Sequence, residues 1–161
     1  MIELNKEQQI SVLHFARKTI AEKLDVPCGL QSDFNDEIFQ NKCGAFVTLH
    51  FEGSLRGCIG FIEGVKPIPE TIEEMAISAA FKDPRFSALT KNEYDGIDIE
   101  VSILSPIEEV KDVSEIVVGR DGLIIGQGFR RGLLLPQVAT EQGWSLDTFL
   151  THTCYKAGLH G

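Results

Sequence analysis

The sequence lacks the patterns that mark several common classes of protein. No two of its four cysteines, at positions 28, 43, 58 and 154, lie within four residues of each other. The spacing of zinc ribbons, thioredoxins and three-cysteine iron–sulfur motifs is therefore missing. No apolar run approaches the ~18 residues of a transmembrane helix, and the N-terminal MIELNKEQQ has no apolar signal-peptide core. We expect a cytoplasmic protein with reduced thiols, no metal site and no membrane association.

Positive charge is also scarce. The 161 residues include 15 Lys and Arg against 24 Asp and Glu, a formal net charge of −9. Phosphate contacts need clustered cations, so nucleic acid is not an expected partner. Hydrophobic residues (43%) and charged residues (24%) occur at ordinary globular frequencies. The length suits one domain, and no linker or repeat divides the chain, so we predict a single domain over residues 1–161.

Apolar periodicity predicts a mixture of helices and strands. Helices are predicted after Asn5, with Gln8 as its capping-box partner, and after Pro67, Pro136 and Ser145. Elements of both kinds alternate without βαβ regularity, which predicts an α+β fold with a mostly antiparallel sheet covered by helices. The predicted strands cover residues 45–51, 54–62, 97–103, 122–126 and 132–135.

The first two strands are predicted to form a hairpin. A two-residue turn at 52–53 gives a register in which Leu49 faces Arg56 and Val47 faces Cys58. Because side chains alternate along a strand, one face then carries Arg56, Cys58 and Gly60. The opposite face carries Leu55, Gly57, Ile59 and Phe61.

The segment LRGCIG at residues 55–60 is the least ordinary part of the sequence. Two glycines weaken a strand unless another backbone or a ligand approaches closely. A cation near a thiol favours the reactive thiolate, so Cys58 is a candidate nucleophile or redox thiol beside an anion-binding Arg56. The alternative is a buried structural cysteine and an arginine paired with a core carboxylate. Residue types alone favour this alternative.

Two further pairs of residues are candidates for ligand binding. Asp83 and Arg85 follow the second helix and form either a structural clamp or part of a ligand site; a structural use is favoured because ion pairs at turns are common. Arg130 and Arg131 lie in a glycine-rich connection at 126–132 whose amides and cations suit an anion. A surface hairpin is the favoured interpretation of that connection.

The C-terminal segment holds the candidate proton-transfer groups. His152 lies off the apolar stripe of the last helix and could serve as the base for Cys58 across the fold, and Glu141 is the second candidate. Cys154 lies on that stripe, so we expect it to pack in the core. Trp144, the only tryptophan, is expected to be a packing anchor.

Several segments together resemble a known family. They are LRGCIG at 55–60, KDPRF at 82–86, GLLLPQVA at 132–139, GW at 143–144 and HTCYKAGL at 152–159. In this order they are similar to the AMMECR domain family, whose prokaryotic members include protein A of the AmmeMemoRadiSam system. The resemblance covers residues 7–159, nearly the whole chain.

The resemblance implies an α+β unit, often divided into a larger and a smaller subdomain, in a cytoplasmic protein. It implies a Memo-like protein and a radical-SAM protein as partners, but no established activity, and it leaves the cofactor unknown. Members usually continue past the last motif into another strand, so we expect this chain to lack the family's usual C-terminal extension. The expected binding residues are Leu55, Gly57, Ile59, Gly60, Asp83, Arg85, Arg130 and Arg131.

Three hypotheses for function follow. The favoured one is an interaction or accessory partner whose LRGCIG strand and 126–132 loop form a docking surface, because no complete acid–base or metal constellation can be assembled. The alternative is an enzyme or enzyme subunit in which Cys58 and Arg56 are catalytic and Glu141 or His152 moves protons. A third is that the protein is itself modified, at Trp144 or a cysteine.

Overall fold

The computed structural model describes residues 1–161, and the chain forms two compact units. The larger unit spans residues 2–107, and the smaller one comprises residues 108–161 with Met1. Each unit contains helices and an antiparallel sheet, so the predicted α+β class is confirmed. No helix is both long enough and apolar enough to cross a membrane.

The larger unit is a three-stranded sheet with two long helices. Asn5 caps the first helix as predicted: its side chain accepts the Gln8 N–H (2.8 Å), and the Gln8 side chain accepts the Asn5 N–H (2.9 Å). Pro67 precedes the second helix, also as predicted. The elements are α1 (Lys6–Leu24), β1 (Ala45–Phe51), β2 (Ser54–Phe61), α2 (Ile68–Phe81), the single turn α3 (Lys91–Tyr94) and β3 (Ile97–Ile103).

The sheet has the order β2-β1-β3, with both neighbours antiparallel to β1. Helix α2 packs against β1 and β2, and α1 packs against α2 and β3. Gly57 is the point of closest approach, because a Cβ there would collide with the backbone carbonyl of Ala79 in α2. The core of this unit includes Ile20, Phe39, Val47, Leu49, Ile72 and Met75, all fully buried or nearly so.

The predicted register of the hairpin is confirmed beside the turn, where Phe51 pairs with Ser54, but it is wrong by one residue from Leu49 onward. A β-bulge lies between Leu49 and His50, so that Thr48 pairs with Cys58 and Leu49 with Gly57. Arg56 is the extra residue of the bulge, which breaks the alternation of the strand at that point. The predicted common face of Arg56 and Cys58 is therefore wrong. By the observed register Leu55, Cys58 and Gly60 lie on the Thr48 face, and Gly57 and Ile59 lie on the Leu49 face.

The smaller unit is a two-stranded hairpin with two helices. Its elements are β4 (Leu123–Gln127), β5 (Arg130–Leu134), α4 (Pro136–Gln142) and α5 (Leu146–Lys156). The surface hairpin expected at 126–132 is present, but its turn is shorter than predicted, because Arg130 and Arg131 already belong to β5. The core consists of Leu123, Ala139 and Phe149, with Trp144 and Leu150 packed around it.

Helix α5 presents a narrower buried stripe than the sequence predicts. Phe149, Thr153 and Ala157 are buried, whereas Cys154 is only half-buried. The Thr153 hydroxyl is satisfied by donating to the Phe149 carbonyl oxygen at 2.7 Å. The expectation that Cys154 packs in the core is therefore met only in part.

Candidate functional site

One carboxylate binds one edge of the Arg56 guanidinium through two hydrogen bonds. Its Nε donates to Glu93 Oε2 at 2.7 Å and its Nη2 donates to Oε1 at 3.1 Å. Glu93 is placed by the single turn α3, where its Oε1 also accepts the N–H and the hydroxyl of Thr90, the N-cap residue. The charge of Arg56 is thus compensated within the chain.

This arrangement shifts the pKa values of both partners. The hydrogen bond from Arg56 lowers the pKa of Glu93 to about 2, against the desolvation that would raise it, and the bonds from Thr90 act in the same direction. The same hydrogen bond raises the pKa of Arg56. Sequence reasoning missed Glu93, although Thr90 followed three residues later by Glu93 is a capping-box signal.

The remaining edge of the Arg56 guanidinium meets no polar group. Its Nη1 is buried and has no hydrogen-bond partner. The guanidinium lies over the ring of Phe86, with 5.9 Å from Cζ to the ring centroid, and the Arg85 guanidinium lies 5.4 Å from the same ring. Both distances suit cation–π attraction, so Phe86 helps to hold two cations beside each other.

Asp83 and Arg85 clamp the backbone of Cys58. The buried carboxylate of Asp83 accepts the Cys58 N–H at 3.0 Å, and Arg85 Nη2 donates to the Cys58 carbonyl oxygen at 3.3 Å. The two clamp residues are joined by a bidentate ion pair of 3.0 and 2.8 Å. Since β2 is an edge strand of its sheet, the pair takes the place of a neighbouring strand at this residue.

The clamp is strongly ionic. The hydrogen bond from Arg85 holds the pKa of Asp83 well below its usual range, although burial opposes this, and the Cys58 and Arg85 N–H groups add to the lowering. Asp83 is 4% exposed, so its charge depends on these partners. The geometry is that of the structural clamp that the sequence analysis favoured.

The thiol of Cys58 has a hydroxyl as its neighbour. Its Sγ lies 3.1 Å from Thr48 Oγ1, across the strand pair that the bulge creates. The side chain of Cys58 is half-buried and that of Thr48 is buried. Sequence reasoning missed Thr48, because its proximity follows only from the bulged register.

The other residues of the LRGCIG segment serve the strand itself. Ile59 packs against the core of the larger unit, and Leu55 is exposed. Gly60 lies under the aromatic ring of Phe46, which a Cβ at position 60 would strike. The two glycines therefore permit two different close approaches, Gly57 to a helix and Gly60 to a side chain.

The candidate proton-transfer groups belong to the smaller unit, whereas Cys58 belongs to the larger one. Glu141 is exposed on α4. His152 stacks on Trp144 with ring centroids 4.1 Å apart and planes 9° apart, and Tyr155 meets the imidazole edge-on at 5.6 Å. The stack confirms Trp144 as a packing residue. A role of His152 or Glu141 toward Cys58 stays a prediction.

Arg130 and Arg131 lie exposed at the start of β5, next to the hairpin turn. Arg130 Nη1 donates to the Gly158 carbonyl oxygen at 3.2 Å, just beyond the end of α5. Phe129, in the turn itself, is fully exposed. Arg130 therefore faces α5, whereas Arg131, which pairs with Gly126, lies on the opposite face of the hairpin.

Comparison with protein families gives one match over most of the chain: the family model described as AMMECR1 matches residues 13–161. A protein of Methanothermobacter thermautotrophicus is 45% identical over 163 residues, which covers 97% of this chain and 85% of that protein. Protein MJ0810 of Methanocaldococcus jannaschii is 53% identical over 131 residues. That match covers 76% of this chain and 65% of the relative, so the chain spans slightly less than two thirds of that protein.

A solved structure resembles this fold. The crystal structure of the uncharacterized protein PH0010 from Pyrococcus horikoshii matches with a TM-score of 0.85 and 37% sequence identity. The match covers 99% of this chain and 84% of that chain. The arrangement of helices and strands described above is therefore similar to one already observed by crystallography.

Proposed function

Because this chain belongs to the AMMECR1 family, we propose that it acts in the cytoplasm as an interaction or accessory partner of a Memo-like protein and a radical-SAM protein. The observation that carries the proposal is that the charged side chains around Cys58 are paired with one another. Arg56 is neutralised by Glu93, and Asp83 is neutralised by Arg85. A centre for acid–base chemistry needs a group that is free to change its protonation state, and these four are committed to one another.

These two ion pairs help to make strand β2 rigid. The bulge at Arg56, the clamp on the Cys58 backbone and the close approach of Gly57 to α2 all fix the course of β2. Leu55 and Phe61, near the two ends of the same strand, are 40% and 45% exposed. Fixed backbone with exposed apolar side chains suits protein recognition, since little conformational entropy is lost on binding.

The test is association of the three purified proteins under reducing, anaerobic conditions, followed by sedimentation velocity. We expect a complex with at least one of the two partners, and we expect Leu55→Glu to weaken it. Val65→Glu is the matched control, because Val65 is exposed outside the regular strand and its change introduces the same charge. No association of either partner with the unmodified chain would contradict the proposal.

Thiol chemistry at Cys58 is the second candidate function, and the Thr48 hydroxyl favours it. A hydroxyl 3.1 Å from Sγ can donate to a thiolate and stabilise it during attack on an electrophile. The Arg85 guanidinium provides a nearby cation, since its Nη2 donates to the Cys58 carbonyl oxygen at 3.3 Å.

Alkylation by iodoacetamide, followed by peptide mass spectrometry, tests this candidate within one sample. Cys28 and Cys154 are half-buried in the same chain and act as internal controls. We expect Cys58 to react faster than both, and Thr48→Val to remove the difference. A Cys58 that reacts no faster than the two controls would exclude an activated thiol.

A further inference from the structure

The stretch of chain that follows β3 carries the signals of a helix that the folded protein does not form. We infer that residues 106–118, called the latent helix below, fold into an amphipathic helix when they dock in an apolar groove of a protein partner that is bordered by Lys and Arg side chains. The inference goes beyond the proposed function, which concerns strand β2.

Both ends of the latent helix have residues that typically begin and end helices. Ser105 is a preferred N-cap residue, Pro106 suits the first helical position, and Glu108, three residues after the serine, completes a capping box. Gly119 follows the last residue, and its φ of 89° lies in the left-handed region in which helices commonly end. The local sequence therefore favours a helix between these ends.

The structure leaves this stretch largely irregular. Its one regular element is the single 3₁₀ turn Val113–Glu115, and residues 106–111 form no backbone–backbone hydrogen bond. Ile116 and Val118 pack beside the core of the smaller unit. Isolated helices shorter than about 12–15 residues are marginal in water, so a helix here needs an apolar surface that covers one of its sides.

Four apolar side chains of the segment lie exposed at helical spacing. Ile107, Val110, Val113 and Val117 are 55%, 46%, 54% and 44% exposed. At about 100° per residue, these four would share an arc of roughly 120° on a helix. A single exposed valine needs no explanation. Four that fall on one helical face form the stripe that is typical of helices with one buried side.

The carboxylates of the segment fall on the other side of the same helix. Four of them would occupy a second arc of roughly 120°, centred nearly opposite the apolar stripe: Glu108, Glu109, Asp112 and Glu115. Lys111 is the only cation of the segment. Apolar and acidic residues on two separate faces are the pattern of a helix that binds in a groove.

The four carboxylates decide which partner is expected. A groove bordered by Lys and Arg attracts them and steers the encounter. A second copy of this chain would instead bring four more carboxylates and a net charge of −9. An anionic membrane surface is disfavoured for the same reason. The expected partner is therefore a protein with a basic border around a groove that receives branched apolar side chains.

A designed peptide with this chemistry tests the inference. It has three heptads with Leu at positions a and d and Lys at positions e and g, so that its own copies repel each other. Added to the ¹³C,¹⁵N-labelled chain, it should move the Cα shifts of residues 106–118 toward helical values and leave those of β1 and β2 unchanged. Added salt should weaken binding, and a peptide with Glu at e and g should bind about tenfold more weakly.

Two pairs of variants distinguish helix formation from simple apolar contact. Lys111→Pro should weaken binding of the lysine peptide about hundredfold, because proline breaks a helix interior. Lys111→Ala removes the same charge and should bind at least as tightly as the unmodified chain; Lys111 is exposed outside regular structure, so both variants should fold. Val113→Glu should lose binding, with Val65→Glu as its control, because Val65 is exposed outside the segment.

Four results would overturn the inference. One is a lysine peptide that leaves residues 106–118 unchanged, and another is equal binding to Lys111→Pro and Lys111→Ala. A third is equal binding of the lysine and glutamate peptides. The fourth is helical shifts without any peptide, either at high protein concentration or with phosphatidylglycerol vesicles, which would assign the segment to a second copy of this chain or to a membrane.

The inference and the proposed function can fail separately. Leu55→Glu, which is expected to weaken the complex with a Memo-like or radical-SAM protein, should leave binding of the lysine peptide unchanged. If the peptide induces the helix and neither protein binds the chain, the inference stands and the proposed function fails. If either protein binds the chain and the peptide does not, the proposed function stands and the inference fails.

Discussion

The ion pair between Arg56 and Glu93 gives the sharpest test of the site, through the substitution Glu93→Gln. Glutamine keeps the side-chain oxygen that accepts the Thr90 N–H, so the cap of α3 is preserved. The substitution removes the negative charge opposite Arg56, and it puts an amide NH2, which can only donate, where Oε2 accepted the Arg56 Nε–H. The guanidinium is then left with a neutral partner in a place where its side chain is only 11% exposed.

The magnitude follows from the pKa of Glu93. A value lowered from 4.5 to about 2 in the folded state corresponds to ~3 kcal/mol of stability at neutral pH. The Glu93 side chain is 23% exposed, so solvent screens only part of this interaction. We therefore expect Glu93→Gln to lower the free energy of unfolding by about 2–3 kcal/mol at pH 7.

The sign of the pH dependence is fixed by the direction of the shift. The pKa of Glu93 is lower in the folded state than in the unfolded state, so its contribution is complete above pH 4.5 and is lost as the pH falls toward about 2. The stability difference between the unmodified chain and Glu93→Gln should thus be constant near neutrality. At pH 3 it should be less than about half as large.

Urea unfolding followed by circular dichroism, at pH 7 and pH 3, measures both quantities. Glu74→Gln is the control, since Glu74 forms a 2.6 Å ion pair with Lys66 in which both side chains are well exposed, and we expect little change from it. A loss below about 1 kcal/mol for Glu93→Gln at pH 7, or an equal loss at both pH values, would refute the reasoning.

Three further predictions follow from individual contacts. Gly57→Ala should destabilise the fold by about 3 kcal/mol in urea unfolding, because the added methyl group meets a helix carbonyl, whereas Gly29→Ala, in open space, should cost less than about 1 kcal/mol. Asp83→Asn should speed hydrogen exchange of the Cys58 amide, whose N–H the Asp83 carboxylate accepts, and it should lower the free energy of unfolding by about 2 kcal/mol. An unchanged rate of hydrogen exchange at Cys58 would contradict the clamp. His152→Ala should cost about 1 kcal/mol and shift Trp144 fluorescence to the red, since the ring loses its stacking partner.

Local signals in the sequence predicted local structure well. The capping box of Asn5 and Gln8 was recognisable because both partners lie within one helical turn. The hairpin register was not, because nothing in the local sequence marks Arg56 as an extra residue. Alternation within a strand cannot reveal an extra residue.

The sequence names most residues of the candidate site but not the contacts between them. Residue types correctly suggested that Arg56 pairs with a carboxylate, yet nothing near it in sequence names Glu93 as that carboxylate. Asp83 and Arg85 were recognised as a clamp, but their target, the peptide group of Cys58, became visible only in the folded sheet. Ion pairs between distant residues depend on tertiary geometry, which one sequence does not display.

The clamp on Cys58 also bears on how this protein avoids misassembly. An open strand edge is a template on which strands of other molecules can add and begin to form fibrils. On the β2 edge, an incoming strand would have to compete with Asp83 and Arg85 for the Cys58 peptide group. Because the pKa of Asp83 lies well below its usual range, mild acid leaves that competitor charged. The chain thus carries its own protection against strand addition at Cys58, and it keeps that protection under acidic conditions in which ordinary carboxylates become neutral.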